Sequence, residues 1–217
     1  MAFQYQNYID FVAAFIDYIM YRRFMLFWVK NIRATVYSVN FALALMVYGV
    51  FASNIRAETE IYGVLAAFCL YLTLLSSPLK AVFPGFKFLI IYHKARKALG
   101  ISSFFFALMH ASLIYFGVIG GISGLLLQSR PVFFGMFFGF MSLSILTALA
   151  ITSIQYFHKK LGANWKRLHR MVYVAAVFSV LYACLAYANL FKVQKLSAVI
   201  WLFLLLVLAL LEALRFL

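Results

Sequence analysis

Six apolar runs, each about as long as a helix needs to cross a bilayer, leave this chain few ways to fold. A helix spans the hydrocarbon with about 20 apolar residues. Inside lipid every backbone amide must be satisfied within the protein, which selects helices. The runs fall near Ala34–Ser53, Ile61–Leu79, Leu99–Ile119, Val132–Ile154, Met171–Leu190 and Ser197–Leu214. Hydrophobic residues make up 67% of the 217 and charged residues 11%. A soluble domain carries about 45–50% and about 25%, so water is the wrong solvent for this surface. The expected fold is all-α: a polytopic membrane protein with a six-helix transmembrane bundle over 34–217, preceded by a cytoplasmic N-terminal segment over 1–33.

Within that first segment Phe11–Val29 is apolar but interrupted by Asp17, Arg22 and Arg23. It reads as an interfacial helix on the inner leaflet, because a seventh span would place three charges in hydrocarbon at a few kcal/mol each. Pro84-Gly85 marks a turn in the long inner segment Pro78–Lys97, where Phe86–Tyr92 is apolar enough to enter the interface. Gly120–Arg130 reads as a flexible outer loop. No internal repeat, second domain or glycine-rich phosphate loop is present. Cys69 and Cys184 lie in separate apolar runs without a CxxC spacing, which points to packing rather than a disulfide.

Charge sets the direction of the spans. Lys+Arg number 19 against 5 Asp+Glu, a net charge of +14. A basic excess can signal nucleic acid, but here the cations sit between apolar runs, so the partner they imply is the bilayer. With the N-terminus inside, fifteen of them fall in inner segments: Arg22, Arg23, Lys30, Arg33, Lys80, Lys87, Lys94, Arg96, Lys97, Lys159, Lys160, Lys166, Arg167, Arg170 and Arg215. Only Arg56, Arg130, Lys192 and Lys195 fall outside. The positive-inside rule then places both termini in the cytoplasm. Trp165 and the tyrosines at span ends fit an aromatic belt, and Glu212 stands three residues before Arg215, the spacing of a helical ion pair.

Few polar groups remain inside the spans. His110 lies about halfway along the third, and an imidazole there must hydrogen-bond or bind a metal. As a neutral ring it can ligate haem iron; as a structural residue it would bond a Ser or Thr on a neighbouring helix. His169 sits at the inner mouth of the fifth span within a basic stretch, Trp165-Lys166-Arg167-Leu168-His169-Arg170. His93 and His158 flank lysines in inner segments and read as solvated.

Two stretches carry a resemblance. Lys94-Ala95-Arg96-Lys97-Ala98-Leu99-Gly100 with Phe106-Ala107-Leu108-Met109-His110-Ala111 resembles the third-helix motif of the ferric reductase-like transmembrane family. Lys159 through Tyr173 resembles the loop and start of its fifth helix, and Arg130-Pro131 with Ala148–Ser153 resembles its fourth. The likeness covers roughly Leu72–Leu190, and its pattern is similar to the MsrQ type, a haem-binding membrane subunit of a periplasmic methionine sulfoxide reductase system. The resemblance implies b-type haem between the third and fifth helices, with His110 and His169 at two of the family's ligand positions. It also implies electrons passing from a cytoplasmic flavin donor or a quinol to an acceptor across the membrane, with a redox partner protein, and a bacterial inner membrane as the location.

One position departs from the pattern. The family usually has a histidine thirteen residues after the one matching His169, and here that residue is Tyr182. Thirteen helical residues rise about 20 Å, which sets Tyr182, rather than His169, level with His110 near mid-membrane. Several ligand sets stay open: His110 alone, His110 with Tyr182, no haem, or a second haem at His169 with His93 or His158. Two further function classes stand beside electron transfer. One is a haem-poor relative kept as a membrane partner or assembly subunit; the other is a small transporter, for which broken spans in paired halves are the usual sign and none is evident. Axial atoms facing each other across iron should lie about 4 Å apart, since metal–imidazole bonds are near 2 Å, so the His110–Tyr182 separation tests the pairing.

Overall fold

The structure, a computed structural model, describes residues 30–187 and 195–215 together with Phe27 and Leu190. The expected interfacial helix over Phe11–Val29 lies almost wholly outside the described residues. The chain runs as α1 (Lys30–Phe51), α2 (Ile55–Val82), α3 (Phe88–Ser112), α4 (Gly121–Leu126), α5 (Arg130–Thr152), α6 (Gln155–Leu161), α7 (Ala163–His169), α8 (Val172–Tyr182) and α9 (Lys195–Leu214). No strand occurs among the described residues. Two helices change pitch near one end: α3 continues as a π-helix over Leu113–Val118, and α8 continues as one over Ala183–Tyr187.

Five stretches are long and apolar enough to cross a membrane: Lys30–Phe51, Ile55–Val82, Phe88–Val118, Arg130–Thr152 and Ala163–Ala186. The sixth expected span is α9, 20 residues long. The six-span reading therefore holds, but the boundaries do not. Helix α2 runs through Pro78, and α3 starts at Phe88, so only the Pro84-Gly85 turn and its neighbours break the expected inner segment. Two of the cationic heads in the lengthened α3 find oxygens on other elements. Arg96 donates to Ser77 Oγ at 2.6 Å, and Lys97 Nζ donates to the Ser153 carbonyl at 2.6 Å. Likewise the segment expected as a flexible outer loop, Gly120–Arg130, is not bare loop. Gly120 and Gly121 take φ of 80° and 83°, a left-handed turn that glycine makes without a Cβ penalty, and α4 follows.

Helix α2 is the centre of the bundle, with half of its apolar window buried. It packs chiefly against α3, and α5 packs chiefly against α8, so the bundle is two helix pairs joined along a seam. One apolar cluster joins α1, α2 and α3 through Ala44, Val47, Tyr62, Ala66, Cys69 and Phe106. A second joins α2, α5, α8 and α9 through Leu74, Leu146, Leu149, Val172, Ala175 and Leu208. Lipid tails are as apolar as leucine, so helices in membranes associate through close packing and hydrogen bonds. Both are present. Ser103 Oγ donates to the Ala66 carbonyl at 2.9 Å, and Ser142 Oγ donates to the Ala175 carbonyl at 2.9 Å. On α5, Gly135 and Gly139 stand four residues apart on the face that meets Ala186 and Tyr182. The opposite face shows Phe133, Phe134, Phe137 and Phe140 to the surroundings, as a lipid-facing stripe should.

Candidate functional site

His110 is 8% exposed and lies on α3 against the start of α2. Its Nδ1 is 2.8 Å from the Thr59 carbonyl oxygen. A carbonyl only accepts, so Nδ1 carries the proton and donates, which fixes the tautomer. The other nitrogen, Nε2, then has its lone pair free to accept, and it faces Tyr182 Oη at 2.9 Å across the seam between the helix pairs. The two rings meet edge to face, with centroids 5.7 Å apart and planes 81° apart.

Glycines make this approach possible. A Cβ on Gly63 of α2 would stand 2.8 Å from the His110 imidazole, and one on Gly139 of α5 would stand 2.9 Å from the Tyr182 ring. Each ring thus rests on the bare backbone of the neighbouring helix. The floor below is apolar: Phe106, fully buried, stacks with Tyr62 at 6.2 Å. Both partners also precede a change of pitch. The π-helical segment begins three residues after His110 and one residue after Tyr182; such segments collect at functional sites.

The depth differs from the sequence expectation. Thr59 lies one turn into α2, and Tyr182 lies one turn before Ala186. The pair is therefore near the Asn54 end of the bundle, not at its middle. The expectation placed His110 halfway along a span starting at Leu99; because α3 starts at Phe88, His110 lies well past its centre.

The fit of haem iron splits between the two residues. His110 has a fixed tautomer and a backbone carbonyl orienting Nδ1–H, features that would suit an iron ligand, while its Nε2 is engaged by Tyr182 Oη. Tyr182 does not fit as a facing ligand with iron between, because the 2.9 Å separation is that of a direct hydrogen bond, short of the roughly 4 Å two axial bonds require.

His169 is not brought to His110. It closes α7 at the opposite end of the bundle, where its ring stacks on Trp165 at 4.0 Å and Nε2 lies 3.3 Å from Thr152 Oγ1. Trp165 also meets His158 edge-on at 4.6 Å, and its Nε1 donates to the Thr152 carbonyl at 3.0 Å. The indole touches both imidazoles. His93 is engaged elsewhere, with Nδ1 3.0 Å from Ser76 Oγ. No cluster of three or more His, Cys, Asp or Glu able to hold a metal ion occurs among the described residues. At this end the expected ion pair forms, Glu212 with Arg215 at 3.3 Å, and Tyr173 Oη also donates to Glu212 at 2.6 Å. Sequence reading missed Tyr173, and it missed Thr59, Gly63 and Gly139 as supports of the histidine site. The Gly-x-x-x-Gly spacing of 135 and 139 was the available signal for one of them.

The site is a buried, carbonyl-oriented histidine at the seam of two helix pairs in a bundle of helices long and apolar enough to cross a membrane. The chain belongs to the family described as ferric reductase like transmembrane component, whose pattern matches residues 62–180. Among curated proteins it is similar to the protein-methionine-sulfoxide reductase heme-binding subunit MsrQ of Agrobacterium fabrum, 33% identical over 131 residues that make up 58% of this chain and 57% of that protein. The subunit of the same name from Brucella anthropi is 32% identical over 148 residues, 64% of each chain. That from Brucella ovis is 32% identical over 135 residues, 60% of this chain and 57% of the relative. The chain thus spans about three fifths of the length of these relatives.

Proposed function

We propose that this protein is a haem-binding membrane subunit that passes electrons across the bilayer, with His110 holding the iron. The observation that carries this reading is the His110 geometry: Nδ1–H committed to the Thr59 carbonyl and Nε2 presented at the helix seam, within the stretch that matches the family. The relatives named as heme-binding subunits support it. A b-type haem would supply one-electron chemistry. The protein sets its ligand, depth and dielectric. Thr59 orients the imidazole, Gly63 lets it approach α2, and Tyr62 with Phe106 keeps water from below. The electron source in this reading is a cytoplasmic flavin carried by a partner protein, or a quinol. The location is a bacterial inner membrane with both termini inside, as the lysine and arginine distribution suggests.

A specific observation favours a second reading. The His110–Tyr182 bond satisfies both side chains without any cofactor, which suits a haem-poor subunit kept for assembly. Absorption spectra separate the two. Purified in detergent and reduced, the protein should show sharp b-type bands, and His110→Ala should remove them. Bands absent even after haem supplementation favour the assembly reading. His169→Ala should leave the His110-dependent bands in place; equal loss in both variants would sink the assignment of iron to His110 alone.

A further inference from the structure

We propose that the N-terminal segment, residues 10–29, docks as a helix on the aromatic tip of the α2–α3 hairpin, with the face that carries Asp10 and Asp17 turned toward it. The inference is independent of what His110 binds.

The tip is apolar beyond the level where the hydrocarbon ends. Helix α2 has 28 residues, a length of about 42 Å against about 30 Å of hydrocarbon. The Arg96–Ser77 and Lys97–Ser153 bonds set the inner edge of the hydrocarbon near those residues. Phe88 precedes Lys97 on α3 by about 13 Å of helical rise, so the hairpin tip stands in the headgroup layer. There Leu79, Phe83, Phe86, Phe88 and Leu89 surround a groove of about 260 Å³. Phe83 and Phe86 meet edge to face at 6.2 Å, and the rings of Phe83, Phe86 and Phe88 are exposed. Pockets for small molecules hold about 300–1,000 Å³ and carry a few placed polar groups. This groove is smaller and is lined by apolar side chains only, which suits the side chains of an amphipathic helix.

Position brings the N-terminal segment here. Arg33 Nε donates to the Lys94 carbonyl at 3.2 Å, and Asn40 Nδ2 donates to Ser102 Oγ at 2.9 Å. Helices α1 and α3 therefore run side by side in the same sense. Phe27 precedes Arg33 by the same number of residues as Phe88 precedes Lys94, a helical rise of about 9 Å in each case. The chain thus enters α1 at the level of the groove.

Charge and periodicity choose the face. Of the five acidic residues, Glu58 and Glu60 lie at the Asn54 end, and Glu212 is held by Arg215 and Tyr173. Asp10 and Asp17 remain to meet the exposed lysines of the hairpin, Lys80 and Lys94 among them. Helical spacing sets Asp10, Ala14, Asp17, Tyr21, Phe24 and Trp28 along one face, with Arg22 and Arg23 on the other. In that register the aspartates meet lysines, the aromatic side chains fill the groove, and the arginines meet lipid phosphates, as in a helix lying in the interface.

The test uses the full chain with Cys184→Ser, in lipid nanodiscs that leave both faces open to reagents. Phe86→Cys is combined with a second cysteine in the segment, and a short bifunctional maleimide is added. Phe24→Cys should cross-link to Phe86→Cys, and Leu26→Cys, on the opposite face, should not. Asp17→Lys should remove most of the Phe24–Phe86 cross-link and speed the labelling of Phe86→Cys alone by a water-soluble maleimide severalfold. Asp17→Glu should restore both. Equal cross-linking from Phe24→Cys and Leu26→Cys overturns docking by a defined face, and a cross-link unchanged in Asp17→Lys overturns the charge pairing. Absence of any cross-link overturns the proposal. The labelling rate of Phe86→Cys then says what the groove meets instead: slow labelling assigns it to lipid, and fast labelling to a surface left for a soluble partner.

Discussion

At the scale of residues, the site is a balance between two small glycines and two rings. Alanine is the better helix former by about 0.8–1 kcal/mol, so Gly63→Ala would stabilise α2 if the position faced lipid. It faces His110 instead, with the new Cβ 2.8 Å from two imidazole atoms. Overpacking of this kind costs about 1–3 kcal/mol, which exceeds the propensity gain. The imidazole cannot yield without lengthening its 2.8 Å bond to Thr59. Gly63→Ala should therefore lower the unfolding midpoint in detergent and weaken the His110-dependent absorption. An alanine variant as stable as wild type, with unaltered spectra, would show that the ring has slack the structure does not suggest. The identity of this histidine was legible in the sequence because an imidazole within an apolar run must find a partner. Its partner was only half legible. Tyr182 followed from helical rise, but the bond between the two rings depends on backbone approach that no single side chain announces.

Elements carry the next level of the argument. Helix α5 meets α8 through Gly135 and Gly139, and a Cβ on Gly135 would lie 2.6 Å from the backbone nitrogen of Ala186. Backbone cannot swing aside as a side chain can. Gly135→Leu should drive α5 from α8, lower the unfolding midpoint strongly, and disturb Tyr182 one turn away. The control is Phe137→Leu, two residues further on the exposed face at 53% accessibility, which should melt with wild type. Equal destabilisation by both would mean that the glycine face is not the packing face. All six spans could be found from hydrophobic length alone, whereas their ends could not. Hydropathy stops α2 near Leu79 and starts the next span near Leu99, because Lys80, Lys87, Lys94, Arg96 and Lys97 break the apolar run. The helices continue to Val82 and from Phe88, and in α3 the Arg96 and Lys97 heads are received by Ser77 and the Ser153 carbonyl. Those oxygens come from other elements, so hydropathy does not count them. The longer α3 also moved His110 from the expected mid-span to the Asn54 end.

For the whole molecule, depth acquires meaning only with direction. The His110–Tyr182 site and the His158–Trp165–His169 stack occupy opposite ends of the same bundle. If the termini are cytoplasmic, the first lies toward the outer face and the second toward the inner face. The direction is argued from fifteen cations on one side against four on the other, and it can be read in intact cells. Cys184 is exposed and Cys69 buried, so a Cys184→Ser background removes the reactive native thiol. Leu127 is 86% exposed in the turn between α4 and α5, and Leu127→Cys in that background should react with a membrane-impermeant maleimide added outside. Lys159→Cys on α6, exposed at the other end of the bundle, should react only after the cells are opened. The reverse pattern would place His110 on the cytoplasmic side, next to any flavin donor.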